Sequence, residues 1–186
     1  AHSLRHPHIV TFLDYGFDAD NQPYYTMELL QGAKTILDAG RQQSLSGKVD
    51  LLVQMLRALA YLHHRGILHR DLKPANVLVM DGQVKLLDFG LSTLHESTAA
   101  EGDTAPLAGT LTYMAPEVLT TRRPSVASDL YAAGMIAYEL FSGTYPFEVS
   151  NSTELIRQIM RAVPDVQSLD IDTPLVLVVQ RLLQKS

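Results

Sequence analysis

The sequence predicts an α+β fold, in which a small antiparallel sheet accompanies a mainly helical body. Two stretches near the start, 9–17 and 23–30, are rich in β-branched and aromatic residues and flank the polar segment DADNQ, which is typical of a hairpin. Farther along, apolar residues recur at steps of three and four, which is typical of helices. The chain of 186 residues, 46% of them apolar, is long enough for one domain with a hydrophobic core.

The strongest helical pattern runs from Ser46 to about His64, with one apolar stripe along it. Ser46 is expected to cap the start of this helix, and Gly66 is expected to adopt the left-handed conformation after its end. A second strong helix, from Ser125 to Phe141, is apolar on most faces and should therefore be buried. Weaker helical patterns occupy 32–40, 153–161 and 174–184.

Two short strands, 77–80 and 84–87, are expected on either side of Asp81-Gly82, a dipeptide that favours a tight hairpin turn. The segment 91–111 is polar, rich in small residues and without periodicity, so we interpret it as a long surface loop. Loops of that length inside a compact domain are usually functional or disordered.

Composition narrows the functional classes. A net charge of −5 offers no basic surface for nucleic acid, so no nucleic-acid partner is expected. The chain has no cysteine, which excludes disulfides and thiolate chemistry and suits a reducing compartment. No uncharged apolar run is long enough to cross a bilayer, and we expect a cytoplasmic protein.

The chemistry-bearing residues concentrate in the segment HRDLKPAN at 69–76. It places a carboxylate (Asp71), an ammonium (Lys73) and an amide (Asn76) in one loop, and a second carboxylate, Asp88, follows the next strand. Phosphoryl transfer needs these parts: an acceptor for a hydroxyl proton, positive charge, and hard oxygen ligands for a metal. Taken singly, each residue has an ordinary interpretation as a turn former or a solvated lysine. Their combination favours a catalytic site.

This pattern resembles the protein kinase family. HRDLKPAN at 69–76, DFG at 88–90 and APE at 115–117 are similar to its signature motifs in the same order. The resemblance covers nearly the whole chain and implies a protein-kinase-like fold, with a mainly α-helical C-lobe and a remnant antiparallel sheet of the N-lobe. By this likeness, 1–31 is the end of the N-lobe with the hinge, and 32–186 is the C-lobe.

The resemblance also implies roles for the loop residues. Asp71 would orient or accept the proton of the substrate hydroxyl, and Lys73 would contact the γ-phosphate of ATP. Asn76 and Asp88 would bind Mg²⁺, with Mn²⁺ as a possible substitute. Lys73 is typical of the serine/threonine branch, and Thr110 in GTLTYMAPE is expected to hydrogen-bond between Asp71 and Lys73. The expected partners are therefore ATP and proteins with serine or threonine acceptors.

Other positions match the family less directly. Met27 is similar to the family residue behind the adenine. Glu28 and Leu30 are similar to hinge residues that offer backbone hydrogen bonds to it. Leu78 is similar to the residue that forms the floor of the adenine site. Four residues are expected to act structurally, namely His69 and Phe89 in the core, Asp129 as an anchor of the catalytic-loop backbone, and Glu117 as the partner of an arginine beyond Ser186.

Regulation is expected in the loop after Gly90. In the family, the arginine at the position of Arg70 joins a basic pocket that receives a phosphate from this loop. The loop offers Ser97, Thr98 and Thr104, and we interpret Thr104 as an autophosphorylation site. The plain alternative is that these are solvated hydroxyls.

Two rival functions share parts of the pattern. A pseudokinase would keep the fold as a scaffold, but such modules commonly lose one of Asp71, Asn76 and Asp88, and all three are present. A small-molecule kinase of the aminoglycoside-phosphotransferase type would share the aspartate and the asparagine, but not the GT and APE motifs at 109–117. The glycine-rich loop, strand lysine and helix glutamate of the family are not in the chain, so we expect the chain by itself to bind ATP poorly.

Overall fold

A computed structural model describes residues 4–89, 111–121, 123–149 and 151–185. Within these ranges the protein combines two small antiparallel sheets with helices, which confirms the predicted α+β class. The strands are β1 Phe12–Phe17, β2 Pro23–Met27, β3 Lys34–Thr35, β4 Val77–Met80 and β5 Gln83–Leu86. The α-helices are α1 Ile36–Gly40, α2 Leu45–His63, α3 Pro116–Thr121, α4 Val126–Ser142, α5 Ser152–Arg161 and α6 Thr173–Leu182.

Strands β1 and β2 form the predicted hairpin, but both are shorter than expected. The first strand does not begin at Ile9, because that residue forms a parallel bridge to Leu86 of β5 instead. The backbone N–H of Val10 donates to the carbonyl of Leu86 at 3.0 Å, which fixes this crossing. The second strand ends at Met27, opposite Phe12, so its predicted extension to residue 30 is wrong.

Strands β3, β4 and β5 form the second sheet, with β4 in the centre. Asp81 and Gly82 connect β4 to β5 with φ of 51° and 75°, so the tight turn predicted for this dipeptide is confirmed. The pattern did not predict β3, because two residues are too few to show an alternation of apolar and polar side chains.

Helix α2 occupies nearly the predicted range, but a different residue caps it. The side chain of Ser44, not Ser46, accepts a hydrogen bond from the backbone N–H of Gly47. Ser46 lies inside the first turn, where its own backbone is already helical and cannot adopt the extended capping conformation. Gly66 has a φ of 71°, as predicted for the residue that follows the helix.

Helix α4 is the centre of the helical body. Most of its residues are buried, as its apolar composition predicted, and it packs against α1, α2 and α6. Ser125 caps its start and exchanges reciprocal hydrogen bonds with Ser128, which fixes the entry of the chain into the helix. At Gly134, α6 approaches so closely that an added Cβ would lie 2.9 Å from the Cβ of Leu182.

The expected border between the hinge and the C-lobe falls in a turn before β3, where the N–H of Ala33 donates to the carbonyl of Leu30 at 3.3 Å. The division at residues 31 and 32 stays a prediction. Among the residues that the structure describes, no helix combines the length and the apolar character that a membrane span requires.

Candidate active site

The loop that precedes β4 brings Asp71 and Lys73 together. The Nζ atom of Lys73 lies 2.7 Å from Oδ2 of Asp71, and both side chains are about one-third exposed, at 29% and 35%. Pro74 then starts a single 3₁₀ turn that ends at Asn76. This turn reverses the chain, so that the side-chain amide of Asn76 lies against the carboxylate of Asp71.

Asn76 supports Asp71 through its side chain. Its Nδ2 donates to the backbone carbonyl of Asp71 at 2.8 Å and to Oδ2 of the same residue at 3.1 Å. Since both N–H groups of the amide point toward Asp71, the amide oxygen is directed to the opposite side. Asn76 is 7% exposed, so its orientation is fixed by a buried environment.

Asp88 is placed next to this loop by the backbone. The N–H of Leu87 donates to the carbonyl of Asn76 at 2.9 Å, which holds the end of β5 against the 3₁₀ turn. Asp88 itself has a φ of 54°, a left-handed conformation that is uncommon outside glycine. The hydroxyl of Tyr25 in β2 donates to Oδ1 of Asp88 at 3.1 Å.

The donor set fits a divalent metal that takes oxygen ligands. The Asn76 amide oxygen and the Asp88 carboxylate are hard oxygen ligands on adjoining segments. Within the described ranges, no three His, Asp or Glu side chains converge to form a complete cage. Magnesium is commonly held by one or two protein oxygens together with phosphate oxygens and water, so two protein ligands suit it.

Asp129 connects helix α4 to the loop of residues 69–76. Its Oδ2 accepts a hydrogen bond from the backbone N–H of His69 at 2.8 Å, and its Oδ1 accepts one from the backbone N–H of Arg70 at 2.9 Å. Arg70 has a φ of 70°, so the carboxylate stabilises a backbone conformation that is unfavourable by itself. Asp129 is 2% exposed and needs such donors.

His63 is a residue of this network that the sequence analysis assigned no role. Its Nε2 lies 2.8 Å from Oδ2 of Asp129, although 66 residues separate the two along the chain. The position at the last turn of α2, on the apolar stripe, was the only available signal. Polar contacts at such sequence separation leave no periodic pattern.

His69 and Phe89 lie in the core, at 0% and 6% exposure. Burial lowers the pKa of His69, while the nearby carboxylates of Asp129 and Asp71 oppose that effect. The imidazole is therefore neutral at physiological pH. Because the ring is buried and uncharged, its contribution is to packing beneath the loop rather than to proton transfer.

The expected hinge is connected to β5 by an ion pair. Nζ of Lys85 lies 2.9 Å from Oε1 of Glu28, which also accepts from the backbone N–H of Thr11 at 3.0 Å. Partial burial raises the pKa of Glu28, but the hydrogen bonds from Lys85 and Thr11 outweigh it and hold that pKa below its usual value. Leu78 lies opposite Lys85 in the sheet, so its side chain shares a face with the lysine that reaches the hinge.

The backbone of the expected hinge is partly engaged. The N–H of Glu28 donates to the carbonyl of Thr11 at 2.9 Å, and the carbonyl of Leu30 accepts from Ala33. The carbonyl of Glu28 and the N–H of Leu30 take part in neither of these two hydrogen bonds. Met27 and Leu30 are partly buried against the core.

The segment after residue 110 is fixed by two tyrosines. The hydroxyl of Tyr113 donates to Oε2 of Glu139 at 2.6 Å, and the hydroxyl of Tyr145 donates to the carbonyl of Thr112. Burial and the neighbouring Glu139 raise the pKa of Tyr113, so this phenol stays protonated. Neither tyrosine was predicted, since the contacts join residues 26 and 33 positions apart and leave no local pattern.

The remaining predicted residues are placed less fully. Glu117 lies in the first turn of α3, and Arg70 is exposed. Thr110 and Thr104, together with Ser97 and Thr98, lie outside the described residues.

Comparison with known proteins matches the family whose description is "Protein kinase domain" over residues 1–182. A probable serine/threonine-protein kinase of Streptomyces coelicolor is 37% identical over 176 residues, which cover 91% of the chain and 26% of that protein. The probable serine/threonine-protein kinase PknB of Lactococcus lactis is 32% identical over 176 residues, or 92% of the chain and 28% of that protein. The CBL-interacting serine/threonine-protein kinase 20 of Arabidopsis thaliana is 35% identical over 162 residues, or 85% of the chain and 36% of that protein.

The chain therefore spans about a quarter to a third of the length of these relatives. The family match, in contrast, extends over nearly all of the chain and includes the loop around Asp71 and the segment of Asp88. From these matches and the fold, the chain belongs to the protein kinase domain family, in its serine/threonine branch.

Proposed function

We propose that the protein transfers the γ-phosphoryl group of ATP to serine and threonine hydroxyls of other proteins, with Asp71 as the residue that receives the substrate proton. The observation that carries the proposal is that Lys73 and Asn76 both contact the carboxylate of Asp71. Its Oδ2 lies 2.7 Å from Nζ of Lys73 and 3.1 Å from Nδ2 of Asn76. Because both contacts use Oδ2, we assign Oδ1 to the substrate hydroxyl. The family uses ATP and a divalent metal, which agrees with the donor set of the site.

In the proposed reaction the substrate oxygen forms a bond to the γ-phosphorus as the bond to the β–γ bridging oxygen breaks, and ADP leaves. Asp71 orients the hydroxyl and takes its proton as that bond forms. Lys73 contacts the γ-phosphate oxygens, where its charge offsets the negative charge of the transferring group. Asn76 and Asp88 would hold Mg²⁺, which supplies charge neutralisation on the phosphate oxygens.

The adenine of ATP is proposed to lie between Leu78 and the hinge, with Met27 behind it. The carbonyl of Glu28 and the N–H of Leu30 would accept from and donate to its edge. The pair of Glu28 with Lys85 supports this assignment, because it fixes the hinge next to the sheet that carries Leu78. The cytoplasmic location expected from the sequence belongs to the same proposal.

The direct test expresses the whole open reading frame and follows phosphate transfer from labelled ATP in the presence of Mg²⁺, beside an Asp71→Asn variant. Incorporation on serine and threonine should fall by about 10²- to 10⁴-fold in the variant, which is the usual contribution of a positioned general base. If neither protein incorporates phosphate although both bind ATP, the scaffold interpretation would replace the proposal.

Regulation by phosphorylation is a second part of the proposal. Asp129 accepts a hydrogen bond from the backbone N–H of Arg70, and the side chain of Arg70 is exposed. A phosphate can therefore reach its guanidinium. We assign it to a phosphate on Thr104, a charge-assisted contact of the bidentate type. Phosphopeptide mapping of the active protein should find phosphate on Thr104, and phosphate confined to positions outside 90–115 would contradict the assignment.

Thr110 is proposed to bridge Asp71 and Lys73 during transfer.

A further inference from the structure

Tyr25 is the one tyrosine among the described residues whose hydroxyl donates to a proposed metal ligand. It lies in β2, 63 residues before Asp88, and its Oη is 3.1 Å from Oδ1 of that residue. The family motifs quoted above do not include this position.

The ring of Tyr25 is held by an aromatic chain that ends beside the same segment. Its centroid is 5.6 Å from that of Phe12 across the hairpin, and Phe12 in turn makes an edge-to-face contact with Phe89 at 5.4 Å. Phe89 directly follows Asp88 and is buried. The ring of Tyr25, which is 39% exposed, and the residue that follows Asp88 thus belong to one group of packed aromatic side chains.

The carboxylate needs such support because its backbone is unusual. Asp88 has a positive φ, so its side chain leaves the end of β5 in a direction that ordinary strand geometry does not set. A free carboxylate can rotate about its last torsion, whereas one oxygen held by a hydroxyl defines the plane of both. An ionised carboxylate has about four acceptor positions, so the hydroxyl of Tyr25 leaves the others for a metal.

We propose that Tyr25 is a positioning residue for the proposed metal site, and that its hydroxyl orients the carboxylate of Asp88 toward the cation. The inference rests on the proposed function, because it requires Asp88 to be a metal ligand. Groups that hydrogen-bond to ligating carboxylates commonly change metal affinity by about 10- to 100-fold when they are removed.

The chain supplies a matched control in the next residue. Tyr24 precedes Tyr25 in the same strand, so its side chain points to the opposite face of the hairpin. Its hydroxyl lies against Gly16 of β1, where an added Cβ would be 2.9 Å from it. Replacing either tyrosine with phenylalanine removes one oxygen and keeps the ring, so the two variants differ only in which hydroxyl is lost.

The experiment measures Mn²⁺ binding to the whole protein by electron paramagnetic resonance, with a non-hydrolysable ATP analogue present and no turnover. Tyr25→Phe should raise the dissociation constant of Mn²⁺ by about 10-fold or more, and Tyr24→Phe should leave it unchanged. In a parallel kinase assay, the Mg²⁺ concentration for half-maximal rate should rise for Tyr25→Phe while the rate at saturating Mg²⁺ changes little. Unchanged Mn²⁺ binding in Tyr25→Phe would overturn the inference, and tighter binding would overturn it by showing that the hydroxyl competes with the metal.

Asp88→Asn in the same titration separates the inference from the function beneath it. If Asp88→Asn weakens Mn²⁺ binding and Tyr25→Phe does not, the metal role of Asp88 stands and the role of Tyr25 fails. If Asp88→Asn itself leaves Mn²⁺ binding unchanged, the proposed metal site fails and the inference fails with it. A melting temperature within a few degrees of the parent confirms that each variant is folded.

Discussion

Asp129 contacts three residues that lie about sixty positions before it in the chain. Its two carboxylate oxygens receive the backbone N–H groups of His69 and Arg70 and lie against the imidazole of His63. It is buried, so each of these contacts is made in a low-dielectric environment where an unpaired group is costly. The position of the loop with Asp71 thus depends on one side chain from a distant helix.

Asp129→Asn should therefore lower the stability of the protein. An amide keeps one acceptor oxygen but turns an NH₂ group toward a buried N–H donor, and a buried donor without a partner costs about 1–3 kcal/mol. We expect the free energy of unfolding, measured with urea, to fall by this amount. Asp170→Asn, at an exposed position, should change it by less than about 0.5 kcal/mol. Equal effects of the two variants would contradict the anchoring role.

His69 should make stability depend on pH. Burial lowers the pKa of its folded form, so below the ordinary value of about 6.5 the unfolded chain binds a proton that the folded protein does not. Unfolding becomes easier as the pH falls from 7 toward 5.5. His69→Phe removes this group, and the loss of stability between pH 7 and 5.5 should be smaller in the variant than in the parent. If urea titrations at pH 7 and 5.5 give the same loss of unfolding free energy in the parent and in His69→Phe, His69 does not contribute.

At the scale of secondary-structure elements, α4 and α6 pack in close contact at Gly134. Gly134 permits it, because any Cβ there would meet Leu182 at 2.9 Å and Leu183 at 3.0 Å. Helix α4 also contacts α1 and α2, so it has little freedom to move away from α6. The atoms in the way are Cβ of Leu182 and Cγ and Cδ2 of Leu183, and the side chain of Leu183 is buried.

Gly134→Ala should consequently destabilise the protein although alanine is the better helix former. The gain in helix propensity is at most about 1 kcal/mol, whereas overpacking of a core typically costs about 1–3 kcal/mol. Gly47→Ala in α2 is the matched control, since its nearest neighbour is Oε1 at the flexible end of Gln43. In thermal unfolding, we expect a lower melting temperature for Gly134→Ala and an unchanged or higher one for Gly47→Ala. A melting temperature of Gly134→Ala at or above the parent value would contradict the packing argument.

At the scale of the whole molecule, residues that flank the hairpin of β1 and β2 are attached to β5 of the second sheet. One attachment is the bridge of Ile9 with Leu86, and another is the ion pair of Glu28 with Lys85. Lys85 is 15% exposed and Glu28 31%, so the pair is partly shielded from solvent. The pair thus fixes the expected hinge relative to the sheet that carries Leu78.

Lys85→Met should weaken ATP binding by the whole protein. A partly exposed ion pair contributes up to about 1 kcal/mol, which corresponds to a rise in KM for ATP of up to about fivefold with little change in kcat. Lys34→Met removes an exposed lysine of β3 and should leave KM unchanged. The measurement is the KM for ATP of each variant in the kinase assay. Identical KM values in Lys85→Met and Lys34→Met would contradict a role of the ion pair at the hinge.

The sequence predicted the fold class, the buried helix α4 and the grouping of Asp71, Lys73 and Asn76, because each depends on local periodicity or on residues a few positions apart. It failed where an element is too short for a pattern, where two residues are equivalent by type, and where a contact joins distant parts of the chain. The strand β3 is too short for a pattern, and Ser44 and Ser46 are equally good capping residues by type. The contacts of His63 and Tyr25 join residues more than sixty positions apart and leave no local signal.

The hydrogen bonds of Asp129 have a consequence for protein synthesis. His69 leaves the ribosome 60 residues before Asp129, so its backbone N–H cannot find its partner when it first emerges. At roughly 5–20 residues per second, this delay lasts about 3 to 12 s. During that time the nascent loop with Asp71 lacks the two backbone hydrogen bonds to Asp129, and these form only once the ribosome has delivered the start of α4.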